Sequence, residues 1–251
     1  MNFSIITLFP DFFESPFNTS IISRARKNAL VNFEFINLRD FTEDRHRTTD
    51  DYPYGGGCGM VMKPEPIYLA LEKVKNDHKG KKTATIYLTP QGELLKQKRV
   101  DSLLEYDNLV LFCGHYEDID YRARKLFDYE ISIGDYVLSG GEPAAVVLVD
   151  AVTRKIPGAL GNPESSAADS FSAAENLFDC PHFTRPPVWR GKHVPDVLLS
   201  GEHKGINIYR RAKAILNTLK VRPDLLRLSD LNKEDYKILK EYFKHYHCYD
   251  E

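Results

Sequence analysis

Residues 109–120 read Leu-Val-Leu-Phe-Cys-Gly-His-Tyr-Glu-Asp-Ile-Asp: five apolar side chains, a glycine, then polar and charged groups. An apolar run this short and unbroken does not alternate between core and solvent, so it reads as a strand covered on both faces, ending at Gly114. Working outward, Thr83–Leu88 and Tyr129–Ile133 have the same character, and Asn2–Phe9 and Val31–Asn37 supply two more strands. Helical patterns lie between them: Phe13, Phe17, Ile21 and Ala25 on one face, Pro64 and Pro66 opening a helix through Val74, then Glu93–Glu105, Tyr121–Phe127 and Glu142–Arg154. Buried strands separated by helices predict an α/β fold with a parallel sheet.

The texture changes at Pro157–Pro187, a stretch rich in Gly, Pro, Ser and Ala that reads as a long irregular linker. Beyond it, Gly201–Leu219 and Asp230–His245 read as helices without strand alternation, predicting a small helical C-terminal domain. The organisation expected is a domain over 1–159, a flexible linker over 160–177 and a helical domain over 178–251.

The 251 residues are 42% hydrophobic and 28% charged, with 14 Phe and 14 Tyr to bury, which excludes disorder for the bulk of the chain. No apolar stretch approaches the ~18 residues of a membrane span, and the richest, Ala144–Val152, contains Asp150. MNFSIITLFPDF lacks the basic n-region of a signal peptide. Four singly placed cysteines, Cys58, Cys113, Cys180 and Cys248, argue against a zinc site or a disulfide framework and for a reducing cytoplasm.

A formal net charge of −2 weighs against a nucleic-acid partner. Its distribution weighs the other way. Residues 184–227 carry ten Lys and Arg against three acids, an excess of +7 able to contact phosphates, although a solvated helix face answers equally well. The balancing acids cluster at Asp40–Asp51 and Glu117–Glu142.

Glycines gather in Tyr54–Met60 (YGGGCGM) and Ser139–Glu142 (SGGE). Neither is a phosphate loop or a dinucleotide fingerprint, and tight turns are the plainer reading. Three strand ends, at Leu88–Gly92, Cys113–Glu117 and Ile133–Leu138, place turn-forming residues where open α/β sheets bind ligands, and together they could enclose an adenine. Glu117, Asp118, Asp120 and Asp135 lie near them and suit base recognition or a divalent cation. Asp169 stands alone in the Gly/Ser-rich linker, and Arg154 ends the preceding helix; spacing alone makes them an ion pair tying the linker down. His46 and Asp50 have a metal-ligand spacing with no evident third ligand.

Together LFP (8–10), DDYPYGGGCGMVMKPEP (50–66), LTPQG (88–92), FCGHYEDID (112–120), SIGDYVLSGGEPA (132–144), ADSF (168–171), FDCPHFTRPPVWRG (178–191) and LLSGEHKGINIYRRAKA (198–214) resemble the bacterial tRNA (guanine-N1)-methyltransferases. The resemblance spans nearly the whole chain. It implies a SPOUT-type α/β domain with a deep trefoil knot, a helical tRNA-binding domain after it, and a homodimer with active sites at the subunit interface. The implied reaction transfers a methyl group from S-adenosyl-L-methionine to N1 of the guanosine just 3′ of the anticodon, and the resemblance extends to Mg²⁺ dependence with no metal-ligating residue assigned.

By resemblance, the cofactor is held by Leu88, Pro90, Gly114, Ile133, Gly134, Asp135, Tyr136, Val137 and Leu138, with Gly140 and Gly141 permitting a tight passage. Glu117, Asp50 and Gly59 fall to the substrate. Asp169 matches the general base that frees the N1 lone pair, and Arg154 the cation stabilising charge at O6. The linker would close over the base when tRNA is present. Asp118 and Tyr121 stand where the family usually has Gly and Glu, Tyr52 replaces a common Arg, and the proline of the GGE block falls at Pro143. Two rivals are a related knotted enzyme acting on a ribose 2′-hydroxyl and a non-catalytic RNA-binding protein on the same scaffold.

Overall fold

The computed structural model describes residues 1–161, 169–171, 177–226 and 231–246. The chain divides into two compact units, Met1–Pro163 and Glu164–Glu251.

The first unit is built on a five-stranded sheet: β1 (Asn2–Thr7), β2 (Asn32–Asn37), β5 (Thr83–Leu94), β6 (Asn108–Cys113) and β8 (Tyr129–Ser132), in the order β2-β1-β6-β5-β8. Every pairing in it is parallel. The apolar run at 109–113 lies on β6, the central strand, and all six of its residues are buried. Because side chains alternate along a strand, Leu109, Leu111 and Cys113 face one core cluster while Val110 and Phe112 face the other. Helices α2 (Ser20–Lys27), α4 (Gln97–Leu103) and α5 (Glu142–Thr153) supply Ala25, Leu103 and Leu148 to the first cluster. Helix α3 (Pro64–Asp77) supplies Ile67, Leu71 and Val74 to the second. Each Leu, Ile or Val among them, fully buried, contributes about 1.5–3 kcal/mol. Pro64 and Pro66 open α3, where a missing N–H costs nothing.

Three expectations need correction. The third strand does not stop at Leu88, and the helix after it is shorter than Glu93–Glu105. β5 runs on to Leu94, and Ile131 of β8 pairs with Leu88 and again with Glu93, so Thr89–Gly92 forms a bulge within the strand. Pro90 has no N–H for the ladder, which drives the bulge, and Gly92 allows it: a Cβ there would lie 2.6 Å from the Glu130 carbonyl oxygen. Tyr121–Leu126 is a 3-10 turn, not an α-helix. A second, three-stranded sheet joins β3 (Asp50–Asp51), β4 (Val61–Met62) and β7 (Asp118–Ile119).

In the second unit, helices His203–Val221 and Lys233–His245 bury Tyr209, Ala212 and Tyr242 together with Val197. Asn232 and Asp235 form a reciprocal cap on the latter helix, and Arg211 Nε donates to Asp235 Oδ1 at 2.7 Å. Contrary to the expectation of helices alone, β9 (Val188–Trp189) and β10 (Lys192–His193) make a hairpin. It turns at Arg190 and Gly191, both at positive φ, as a two-residue hairpin turn requires. No helix among the described residues is long and apolar enough to cross a membrane.

Candidate active site

A cleft opens at the β5 bulge and the carboxyl ends of β6 and β8, with about 700 Å³ between its walls including the open mouth. The β5 bulge forms one wall (Leu88, Pro90), the Gly114–Asp118 turn the second, and Ile133–Gly141 the third. Of the cofactor residues implied by the sequence, Leu88, Pro90, Gly114, Ile133, Gly134, Tyr136, Val137, Leu138, Gly140 and Gly141 line it. Asp135 does not; it sits in the same loop, exposed. Asp50 and Gly59 also lie outside the lining.

Glycine is required where chain passes chain. A Cβ on Gly141 would lie 2.7 Å from Cys113 Cα, and one on Gly114 would lie 2.9 Å from the Tyr87 ring. The Gly141 amide donates to the Gly114 carbonyl at 2.9 Å, stitching two walls together. Burial holds the Cys113 thiol well above its usual range, consistent with a buried packing residue rather than a nucleophile.

Tyr116 turns the second wall at φ +62, a left-handed conformation rare for an aromatic. Burial and the neighbouring Asp50 carboxylate raise its hydroxyl pKa, so Asp50 meets the site through this tyrosine. After the turn, the Glu117 amide donates to the Met60 carbonyl at 3.1 Å, and the Glu117 side chain lies over Gly59, whose Cβ would fall 2.8 Å from its carboxyl carbon. Glu117 and Gly59 are thus adjacent, and Gly59, at φ +84, leaves the space the glutamate uses.

Asp118 has little spare capacity. Its Oδ1 accepts from the Tyr87 hydroxyl at 2.7 Å and from the Ile119 amide, and its Oδ2 accepts from Gln91 at 3.4 Å and lies 3.8 Å from Arg124. Arg124 is also paired with Glu130 and donates to Gln91. Burial, then this aspartate, raises the Tyr87 pKa far above the ordinary phenol value. Asp120 is held below the usual carboxylate range by Arg122. The sequence reading missed Tyr87 as a cleft residue; Gln91, His115 and Tyr116 fall within the stretches it assigned to the pocket, though it did not name them singly.

Arg154 caps the C-terminus of α5 in the first unit and is not among the cleft residues. Asp169 belongs to the second unit, where Asp169–Phe171 is pinned to 177–179: the Phe171 amide donates to the Leu177 carbonyl and the Asp179 amide to Ser170 Oγ, each at 2.9 Å. Among the described residues no group of three or more potential ligands contains His46 or Asp50; Asp44 organises that loop by accepting from the His46 and Thr48 amides. Among the described residues, one group has metal-ligand character, Asp179, Cys180 and His182. Its carboxylate already pairs with His182 at 2.8 Å and accepts from the Cys180 amide.

The tRNA (guanine-1)-methyltransferase TrmD family pattern matches residues 1–228. Relatives named tRNA (guanine-N(1)-)-methyltransferase include proteins of Desulforamulus reducens (49% identical, covering 96% of this chain and 94% of its own), Dictyoglomus turgidum (46%; 96% and 96%) and Carboxydothermus hydrogenoformans (49%; 95% and 92%).

Proposed function

The chain belongs to the tRNA (guanine-1)-methyltransferase family, and on that premise we propose that it methylates N1 of the guanosine immediately 3′ of the tRNA anticodon with S-adenosylmethionine as donor. The observation that carries this reading is the cleft at the β5 bulge and the ends of β6 and β8, where ten of the eleven implied cofactor residues converge. Its chemistry fits the donor. Leu88, Pro90, Ile133 and Leu138 offer apolar walls to a flat ring, and the absence of a Cβ at Gly114 and Gly141 lets the cleft's walls pack against Tyr87 and Cys113. The bound cofactor supplies an activated methyl on a sulfonium sulfur.

The protein's part is protonic and positional. Neutral guanine carries its proton on N1, so the ring must lose it as the new N–C bond forms. Asp169 takes that proton, Arg154 offsets the charge growing on O6, and Glu117 accepts from the guanine edge. The cleft residues would hold both reactants so that N1 approaches in line with the methyl the donor supplies. Mg²⁺ has no ready pair of carboxylates at this loop, because Asp118 and Asp120 already serve Tyr87, Gln91, Arg124 and Arg122.

The reading extends to a trefoil-knotted SPOUT domain over 1–159, a linker that closes over the base, and tRNA-backbone binding by the basic 178–251 segment, in a cytoplasmic enzyme. It also holds that two copies complete each site, with the exposed apolar Tyr136, Val137 and Leu138 at the cleft mouth as the surface a second copy would cover. The test is primer extension on tRNA transcripts carrying G after the anticodon, incubated with the protein and S-adenosylmethionine. N1 methylation blocks base pairing and stops the polymerase at that nucleotide. A ribose 2′-O-methyl product, or no stop there, would overturn the assignment.

A further inference from the structure

Glu142 is a buried acid of the first unit that this chemistry leaves unused. It opens α5 with 3% of its surface exposed, and a carboxyl so enclosed is retained only with partners for both oxygens. It has them. Thr7 Oγ1 donates to Oε1 at 2.6 Å, and His115 Nε2 meets Oε2 at 2.8 Å. Thr7 ends β1 and His115 follows β6, so one carboxyl ties two strand ends to the head of a helix.

We propose that Glu142 is a positioning residue of the methyl-transfer site: acting through His115, it fixes the Gly114–Glu117 turn, and with it both the cofactor wall and the aim of Glu117. The proposal rests on the cofactor assignment above.

Four observations converge on it. His115 lines the cleft and immediately precedes Tyr116, whose left-handed backbone is disfavoured for an aromatic and persists only when its neighbours over-determine it. The His115 ring is fixed on its other side by the Phe9 ring, edge-on at 4.9 Å between centroids, and its amide points at Met62 Sδ at 3.2 Å. His115 also bridges to Gly140, where a Cβ would collide with the imidazole and lie 2.5 Å from Glu142 Oε2. A glycine is therefore what allows the pair to close over that strand of chain. On the far side of Tyr116, Glu117 is held by its amide bond to Met60, so the strained residue sits between two anchors, one of which ends on Glu142.

The test compares Glu142→Ala, Glu142→Gln and His115→Phe. Affinity for S-adenosylmethionine is read by calorimetry without tRNA, kcat and KM for tRNA in methylation, and the unfolding midpoint alongside. Loss of one charged hydrogen-bond partner predicts about tenfold weaker cofactor binding and a kcat lowered by about tenfold or more in Glu142→Ala. Glu142→Gln, which still accepts from His115 and keeps the volume, restores most of both. His115→Phe keeps the ring against Phe9 and reproduces the alanine defect in a folded protein. Cofactor affinity and kcat within about twofold of wild type in folded Glu142→Ala or His115→Phe would overturn the proposal. So would a glutamine variant as impaired as the alanine, or the failure of both other variants to fold, which would make the cluster purely structural. A wild-type protein that binds no S-adenosylmethionine would overturn the cofactor assignment itself, and this proposal with it.

Discussion

Gly59→Ala separates the placing of Glu117 from the stability of the fold. The new Cβ would lie 2.5 Å from Glu117 Cγ and 2.8 Å from Cδ, whereas carbon contacts settle near 3.5–4.0 Å. Glu117 is the far end of a flexible side chain, so it gives way, moving by about 1 Å. The backbone cost is separate: Gly59 sits at φ +84, and an alanine there loses about 1 kcal/mol. That corresponds to a fall in melting temperature of about 2–4 °C for a protein of this size. A 1 Å misplacement of a positioning group costs on the order of 10²-fold in rate, or about 2.7 kcal/mol in the barrier. The variant should therefore melt nearly as wild type does, bind S-adenosylmethionine with unchanged affinity, and methylate tRNA about a hundredfold more slowly under single-turnover conditions. A rate within about threefold of wild type would refute the assignment of Glu117 to the guanine. Lost cofactor affinity with turnover intact would refute the division of labour between the two ends of the cleft.

Three further outcomes are expected. Asp169→Ala should abolish methyl transfer while leaving cofactor affinity nearly unchanged by calorimetry; a large loss of binding would make Asp169 structural. Gly141→Ala should weaken the protein more than Gly59→Ala, because its Cβ meets the Cys113 backbone at 2.7 Å and nothing there is free to swing away; comparing the two urea midpoints checks the order. Burial pushes the Asp235 carboxyl up, but bonds from Arg211 and the Asn232 amide outweigh it, and its pKa falls below the usual value. A depressed carboxylate contributes stability above its unfolded pKa of about 4 and loses it as pH falls through the folded value. Helix content followed on acid titration should thus drop below pH ~4, and Asp235→Asn should remove that acid-sensitive step.

The sheet was legible because parallel strands buried on both faces leave an unbroken apolar signature, and Leu109–Cys113 occupies the central strand as that signature implies. The course of β5 past Leu88 was not. Thr-Pro-Gln-Gly reads locally as a stop, and only Glu93 and Leu94 returning to β8 across the bulge make it an interruption. The cleft's glycines were visible as a cluster, but which backbone each must clear is a tertiary fact. Asp169 and Arg154 read in isolation as a simple ion pair, and their catalytic parts come from the resemblance alone. The resemblance placed Asp135 among the cofactor residues; Gly134 and Tyr136 on either side of it line the cleft, while the Asp135 side chain is exposed and does not. Glu142 had no local signal at all: its partners lie 135 and 27 residues away in sequence.

The glycines at 114, 140 and 141 bear on inhibition of such an enzyme. A competing molecule that takes its grip on their backbone presses against three positions where any replacement adds a Cβ facing Tyr87, the His115–Glu142 pair or the Cys113 main chain. Escape by substitution at those contacts would damage the cleft that the variant still needs. Resistance through the exposed side chains at the rim, Tyr136, Val137 and Leu138, is open only to changes that spare the surface offered to a second copy. A durable inhibitor would draw its affinity from the glycine walls and touch the rim as little as it can.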